Sequence, residues 1–189
     1  MQISFSDRIK LSEMDRREVM LLAANYNSPI GEMRLLIEKG ALTALWFRGK
    51  GQIENKLSDK YQLIASTSPE FAPIIRWLDD YFQGQRFNPI QFELKPLFQT
   101  TFRQQVWRKV AEIPYGQLTT YGEITHSLQV ENKRTVSPQA VGGALAANPI
   151  LLIIPCHRVL SATGDLAGYN GGIANKAWLI EHEKKKSNK

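Results

Sequence analysis

The 189-residue chain has one cysteine, three histidines and no run of 18 or more apolar residues. A single cysteine excludes an internal disulfide and a multi-cysteine zinc site, although histidine and carboxylates could still bind metal. Too few ligands accompany His126 and His182 for a metal site, and both read as surface or helix-end residues. The N-terminal MQISFSDRIK carries no continuous apolar segment, so neither membrane spanning nor secretion is expected. A cytoplasmic protein with a free, reduced thiol is the expectation. Acidic residues are in deficit: 18 Asp and Glu against 24 Lys and Arg leave a net charge of +6. That balance favours a polyanionic partner such as nucleic acid, although the final EKKKSNK reads as a solvated tail. A hydrophobic content of 43% suits one or two compact domains.

The pattern divides in two, and the expected domains are residues 1–95 and 96–189. Between about residues 20 and 65, short alternating runs broken by Ser28-Pro29, Gly31 and Gly40 read as a hairpin-rich sheet. In SPEFAPIIRWLDDYFQGQ, Phe71, Ile74, Ile75, Leu78 and Phe82 fall at helical spacing and Gly84 supplies a stop. FNPIQFELKPLFQ reads as a connector, with Pro89 and Pro96 preventing a long helix. The expected fold is an α/β N-terminal domain, a small sheet with a helix, followed by a mostly helical C-terminal domain.

That second half contains three helical patterns. Phe102, Val106, Trp107 and Val110 make one apolar face, with Thr101 as the cap and Pro114 with Gly116 beyond the end. Thr120 and Glu123 have capping-box spacing. Ser137 and Pro138 suit the N-cap and first turn of AVGGALAANP, and Asn148-Pro149 its stop. This third helix is almost without long side chains, and its two glycines cost roughly 1 kcal/mol each relative to alanine. Close helix packing accounts for such a stretch. So does a slim second helix of a helix-turn-helix that brings its backbone near DNA phosphates. Either reading makes bulky substitutions costly.

Cys156 closes the run LLIIPC and precedes His157 and Arg158. Pro155 fixes its own φ, so the run reads as a buried extended segment presenting Cys156 at its edge. A lone cysteine in such a run is more often inert core. As a nucleophile it needs thiolate, which burial disfavours, and hence an imidazole and an orienting carboxylate. A water or a turn could connect His157 to the sulfur. Glu183, Glu181 and Asp165 all compete for the carboxylate position.

Four stretches together resemble the O6-alkylguanine-DNA alkyltransferases, also called methylated-DNA–protein-cysteine methyltransferases: YGQLTTYGEI at 115–124, AVGGALAANP at 140–149, IPCHRV at 154–159 and GYNGGIANKAWLIEHE at 168–183. The resemblance covers residues 96–189 strongly, and residues 1–95 only in general layout. It implies a winged or helix-turn-helix domain acting on double-stranded DNA that contains O6-alkylguanine, and also O4-alkylthymine. The alkyl group would pass irreversibly to Cys156, once per molecule, without a cofactor. It further implies a monomer, open to cooperative binding on DNA.

By position, the resemblance makes Cys156 the acceptor, His157 its base through a water, Glu183 the group orienting His157, and Tyr121 a DNA contact that helps protonate the departing guanine. It puts Ala140, Gly142 and Gly143 on the recognition helix, Asn148 in the turn after it, and Val159, Gly168, Tyr169 and Asn170 about the base pocket. Pro155 and Arg158 are structural neighbours of the site. One departure stands out: the family usually has an arginine before AVGG that enters the duplex, and here that residue is Gln139, which lacks the charge and the fork. Arg134 or Lys133 could compensate. The alternatives are a noncatalytic lesion-binding protein on the same scaffold, a helix-turn-helix regulator with a redox-sensing Cys156, and a cysteine hydrolase.

Overall fold

The computed structural model describes residues 21–51, 53–57, 60–85, 90–133 and 135–187. Arg134 and Pro89 therefore lie outside the described residues. The chain divides into two compact units between Leu97 and Phe98.

In the first unit, β1 (Leu21–Ser28), β2 (Gly31–Glu38) and β3 (Ala41–Phe47) form an antiparallel meander, and the short β4 (Tyr61–Leu63) joins β1 in parallel, giving the order β3-β2-β1-β4. Gly31, at φ 129°, makes the turn between β1 and β2, a conformation that side-chain-bearing residues avoid. The expected alternation of buried and exposed residues does not describe β3, where all seven residues are buried although the strand is at the sheet's end. The reason lies in the connector. Leu42 N donates to Glu93 O at 2.8 Å and Lys95 N to Leu42 O at 2.9 Å, so residues 93–97 cover that open edge.

A short α1 (Ile53–Leu57) precedes β4, and a 3-10 turn, Pro69–Phe71, leads into α2 (Ala72–Gln83), which Gly84 ends at φ 88°. The buried face of α2 is rotated from the expected one: Ile74, Trp77, Leu78 and Tyr81 are buried, whereas Ile75 and Phe82 are half-buried. The aromatic rings decide the phase. Phe82 stacks beside Tyr26 of β1, whose hydroxyl donates to Asp79 at 2.9 Å.

The second unit is mostly helical, and local capping explains its boundaries. α3 (Thr101–Ala111) is capped by Thr100, not Thr101: the Thr100 hydroxyl accepts from Arg103 N at 3.3 Å. Its residue 100 is still extended, which frees that side chain to reach forward. α4 (Tyr121–Asn132) starts with the full capping box, Thr120 Oγ1 accepting from Glu123 N and Glu123 Oε2 from Thr120 N. In α5 (Pro138–Ala146), Ser137 accepts from Ala140 N at 3.1 Å. α4 and α5 make the helix-turn-helix, and both pack on α3. Trp107, fully buried on α3, donates its indole N–H to Ala144 O at 2.9 Å and so fixes α5. A two-residue parallel pair, β5 (Thr119–Thr120) with β6 (Val159–Leu160), and the long α6 (Ile173–Ser187) complete the unit.

Candidate active site

Cys156 does not end an extended segment. Residues 151–154 form tight turns, with Leu152 at φ 69° and Ile153 N donating to Leu151 O at 2.9 Å. A second tight turn about Pro155 follows, Cys156 N donating to Ile154 O at 2.8 Å. An apolar run reads as a strand by composition, but Asn148 imposes another course on the backbone. Its Oδ1 accepts from Ile150 N at 2.9 Å, and its Nδ2 donates to Ile154 O at 2.8 Å and to Cys156 Sγ at 3.1 Å. Cys156, His157 and Arg158 then form one 3-10 turn.

The carboxylate rivals separate clearly. Glu181 pairs with Lys185 on an exposed face, and Asp165 accepts from Thr163 in an exposed turn. Glu183, 1% exposed, meets His157 Nε2 at 2.8 Å through Oε1. Arg158 donates to both of its oxygens, Nη2 to Oε1 at 3.0 Å and Nε to Oε2 at 2.9 Å. Gly116 N completes Oε2 at 3.0 Å. Burial pushes this carboxyl up, but the contacts with His157 and Arg158 outweigh it and hold Glu183 well below the usual carboxylate range. For His157, burial prevails and drives it down despite Glu183. The ring is therefore neutral at pH 7, with Nε2–H donating to the carboxylate and Nδ1 carrying the lone pair. That Nδ1 is buried and has no hydrogen-bond partner among the described residues.

The sulfur lies in the wall of a cavity of about 170 Å³, bounded further by Tyr121, Gly142, Leu145 and Ala146 on the helical side and by Gly168, Tyr169 and Asn170 on a loop. A cavity of this size admits a ring; one of about 150 Å³ binds benzene. Asn170 Nδ2 donates to Ala146 O, tying that loop to the end of α5. Burial pushes the Cys156 thiol up to about 11, with Asn148 and Lys176 opposing. Tyr121 is raised by burial and by the nearby sulfur, and Tyr169, whose hydroxyl has no partner among the described residues, is raised well above the ordinary phenol range by burial first.

Several sequence candidates stand elsewhere. Gln139, Ala140 and Gly143 are exposed along α5, and Val159 is buried with its carbonyl taken by Lys176 Nζ at 2.6 Å. Pro155 is buried within the turn. The close-packing account of the glycines fails: a Cβ on Gly143 would meet nothing within 4 Å, and one on Gly142 only Tyr121 at 4.0 Å. A methyl group is accommodated at either position, whereas Gly142 lines the cavity wall beside Tyr121.

Sequence reasoning missed Lys176, fully buried, its ammonium held by the Val159 and Ala167 carbonyls at 2.6 and 2.7 Å. Burial lowers it and the Cys156 charge raises it. The signal was its spacing. Lys176, Leu179 and Glu183 lie on one stripe of α6, the stripe that turns inward. His126 is exposed and His182 stacks on Trp178 at 4.7 Å.

The arrangement matches known proteins over nearly its whole length. Residues 101–185 match the family model described as "6-O-methylguanine DNA methyltransferase, DNA binding domain", and residues 21–96 the one described as its "ribonuclease-like domain". A methylated-DNA–protein-cysteine methyltransferase of Haemophilus influenzae is 35% identical over 84% of this chain and 84% of its own. One from Sulfolobus acidocaldarius is 36% identical over 87% of this chain and 94% of its own. The crystal structure of the Mycobacterium tuberculosis O6-methylguanine methyltransferase superposes with a TM-score of 0.73 at 33% identity, over 88% of this chain and 94% of that one. The same organism's OGT in complex with DNA gives 0.71, also at 33% identity, over 87% of this chain and 94% of that one. With both halves matched and a thiol, imidazole and carboxylate joined in one buried site, the chain belongs to the methylated-DNA–protein-cysteine methyltransferase family.

Proposed function

We propose that this protein repairs DNA by taking the alkyl group from O6 of guanine, and from O4 of thymine, onto Cys156. The observation that carries the reading is a buried thiol in the wall of a ring-sized cavity, beside a neutral imidazole whose far nitrogen is fixed by a carboxylate. Family membership supports it.

At a thiol pushed up to about 11, only about one molecule in ten thousand is thiolate at pH 7, so the proton must leave as the carbon is attacked. Nδ1 of His157 is the base, reached through a bridging water, and Glu183 steadies the resulting imidazolium. Asn148 and the Lys176 ammonium stabilise the developing charge on sulfur. The S–C bond forms and the C–O6 bond breaks. The bond's electrons go to O6 of the departing guanine, and the proton released by Cys156 ends on that guanine, with the Tyr121 hydroxyl donating toward it. The balance needs no cofactor. The thioether has no route back, so each molecule acts once.

The lesion must leave the duplex to reach this cavity, at a cost of a few kcal/mol for unstacking. The exposed face of α5, with Gln139 beside the small Ala140 and Gly143, is the surface that approaches the minor groove, and the exposed Lys133 that ends α4 suits a phosphate. Gly168, Tyr169 and Asn170 enclose the extruded base. The protein acts as a monomer, able to bind DNA cooperatively, in the cytoplasm; no helix among the described residues is long and apolar enough to cross a membrane.

Incubating the protein with duplex DNA carrying O6-methylguanine tests the reading. Mass spectrometry should find one added methylene on the peptide bearing Cys156, stoichiometric and permanent, and none in Cys156→Ala. An unmodified Cys156 under single-turnover conditions would leave the scaffold a reader of damage, and repeated product formation would make it a hydrolase.

A further inference from the structure

Arg158 carries more than a structural neighbour's part. Two donors share Oε1 of Glu183, the imidazole N–H of His157 and the Nη2 of Arg158, while Arg158 Nε and Gly116 N hold Oε2. Arg158 is itself fixed: Nη1 donates to Ile113 O at 2.6 Å and the guanidinium lies over the Tyr115 ring at 5.7 Å. A solitary buried carboxylate 2.8 Å from an imidazole draws a proton onto the ring, because the charge pair is favoured where the dielectric is low. A carboxylate already neutralised by a side-on, two-bond guanidinium has much less pull.

Among the described residues, the charged and titratable groups facing His157 are few. α6 brings Glu183 and Lys176, the 3-10 turn brings Cys156 and Arg158, and the loop before α6 brings Tyr169, its ring edge-on at 6.2 Å. Burial, Arg158 and Lys176 all disfavour imidazolium; Glu183 alone favours it.

We propose that Arg158 is a positioning residue for the alkyl transfer: by occupying both oxygens of Glu183 it keeps His157 a neutral Nε2–H imidazole whose Nδ1 can accept the Cys156 proton. The inference rests on the reading of His157 as base. Without the guanidinium, Glu183 and His157 become an ion pair, Nδ1 carries a proton before any substrate arrives, and the relay stalls.

The test uses the full chain with 15N-labelled histidine. Three imidazole patterns are expected, and His126→Gln and His182→Gln assign the other two. In the wild type, His157 should remain the neutral Nε2–H tautomer to below pH 6.5. In Arg158→Met it should titrate at least one pH unit higher than in the wild type. Arg158→Lys, which restores the charge without the fork, should recover most of the neutral form. The single-turnover rate of methyl transfer at pH 6 relative to pH 8 should fall in Arg158→Met, by about tenfold for each unit by which the titration of His157 comes to lie above pH 6. An Arg158→Met protein whose His157 titrates as in the wild type overturns the proposal. So does a wild-type His157 that is imidazolium at pH 7, a measurement that decides the matter even if the methionine variant fails to fold. If the titrations behave as expected but Cys156 never gains a methyl group, the proposed function fails and the control of His157 by Arg158 stands.

Discussion

The two units spend their burial differently. In residues 21–97 the buried side chains are almost all apolar, β3 being buried throughout, and the exceptions are small: Thr43 bonds Leu36 O, and Arg34 is satisfied by Asn25 and Tyr61. In residues 98–187 the buried set includes Asn148, His157, Arg158, Asn175, Lys176 and Glu183. Burying charge is expensive, and leaving it unpaired costs several kcal/mol more. The first unit is therefore held mainly by apolar packing about its sheet, with Arg34 its one buried ionic side chain among the described residues. The second adds to its apolar core an electrostatic cost where a thiol has to be made to react, and one carboxylate, Glu183, offsets the charge of Arg158 there.

The sharpest break in that comparison is Glu183→Gln. It leaves Arg158 buried without an anion and should destabilise residues 98–187 by about 3–5 kcal/mol, seen as accelerated amide exchange confined to that unit. Equal loss of protection in residues 21–97 would refute the division. Leu45→Ala reverses the experiment: Leu45 is fully buried in β3, its truncation should cost about 2–5 kcal/mol in the first unit, and the folded fraction should still methylate Cys156 at the wild-type rate. Acid should separate the units less strongly. His157 is held below its unfolded value near 6.5 and Glu183 below 4.5, so in each case the unfolded chain binds the proton first. Their contribution is complete above pH 6.5, begins to fade below it through His157, and fades further below pH 4.5 through Glu183. Thermal unfolding followed by exchange between pH 7.5 and 4 should show residues 98–187 weakening first. The smallest effect belongs to Arg48→Ala in the first unit. Arg48 bridges Glu32 at 2.8 Å and Glu54 at 3.4 Å, but in water, so urea unfolding should shift by less than about 1 kcal/mol.

Local features were legible where one turn of chain contains the whole interaction. Thr120 with Glu123 and Ser137 with Pro138 announce helix starts, because a cap needs a side chain only three residues from its partner. Gly84 announces a stop, because its left-handed φ suits glycine. Legibility fell where neighbours distant in sequence compete. The buried face of α2 turned toward Trp77 and Tyr81, the run before Cys156 became two tight turns under the hold of Asn148, and Lys176 went inside although lysine is ordinarily solvated. For the thinness of α5, the packing explanation gave way once Gly143 proved to face open space.

Residue chemistry by itself determined that this chain has one thiol, an adjacent imidazole, a basic surplus and two differently patterned halves, since each is a property of side-chain type and spacing. Tertiary structure decided which carboxylate meets His157, that Arg158 shares it, and that a lysine stands behind the sulfur. His157 and Glu183 are 26 residues apart along the chain, and Gly116, which donates to the same carboxylate, is 67 from it. Helix phase and turn geometry bring them within 3 Å, and at that range in a dry interior a single contact sets the charge of its neighbour.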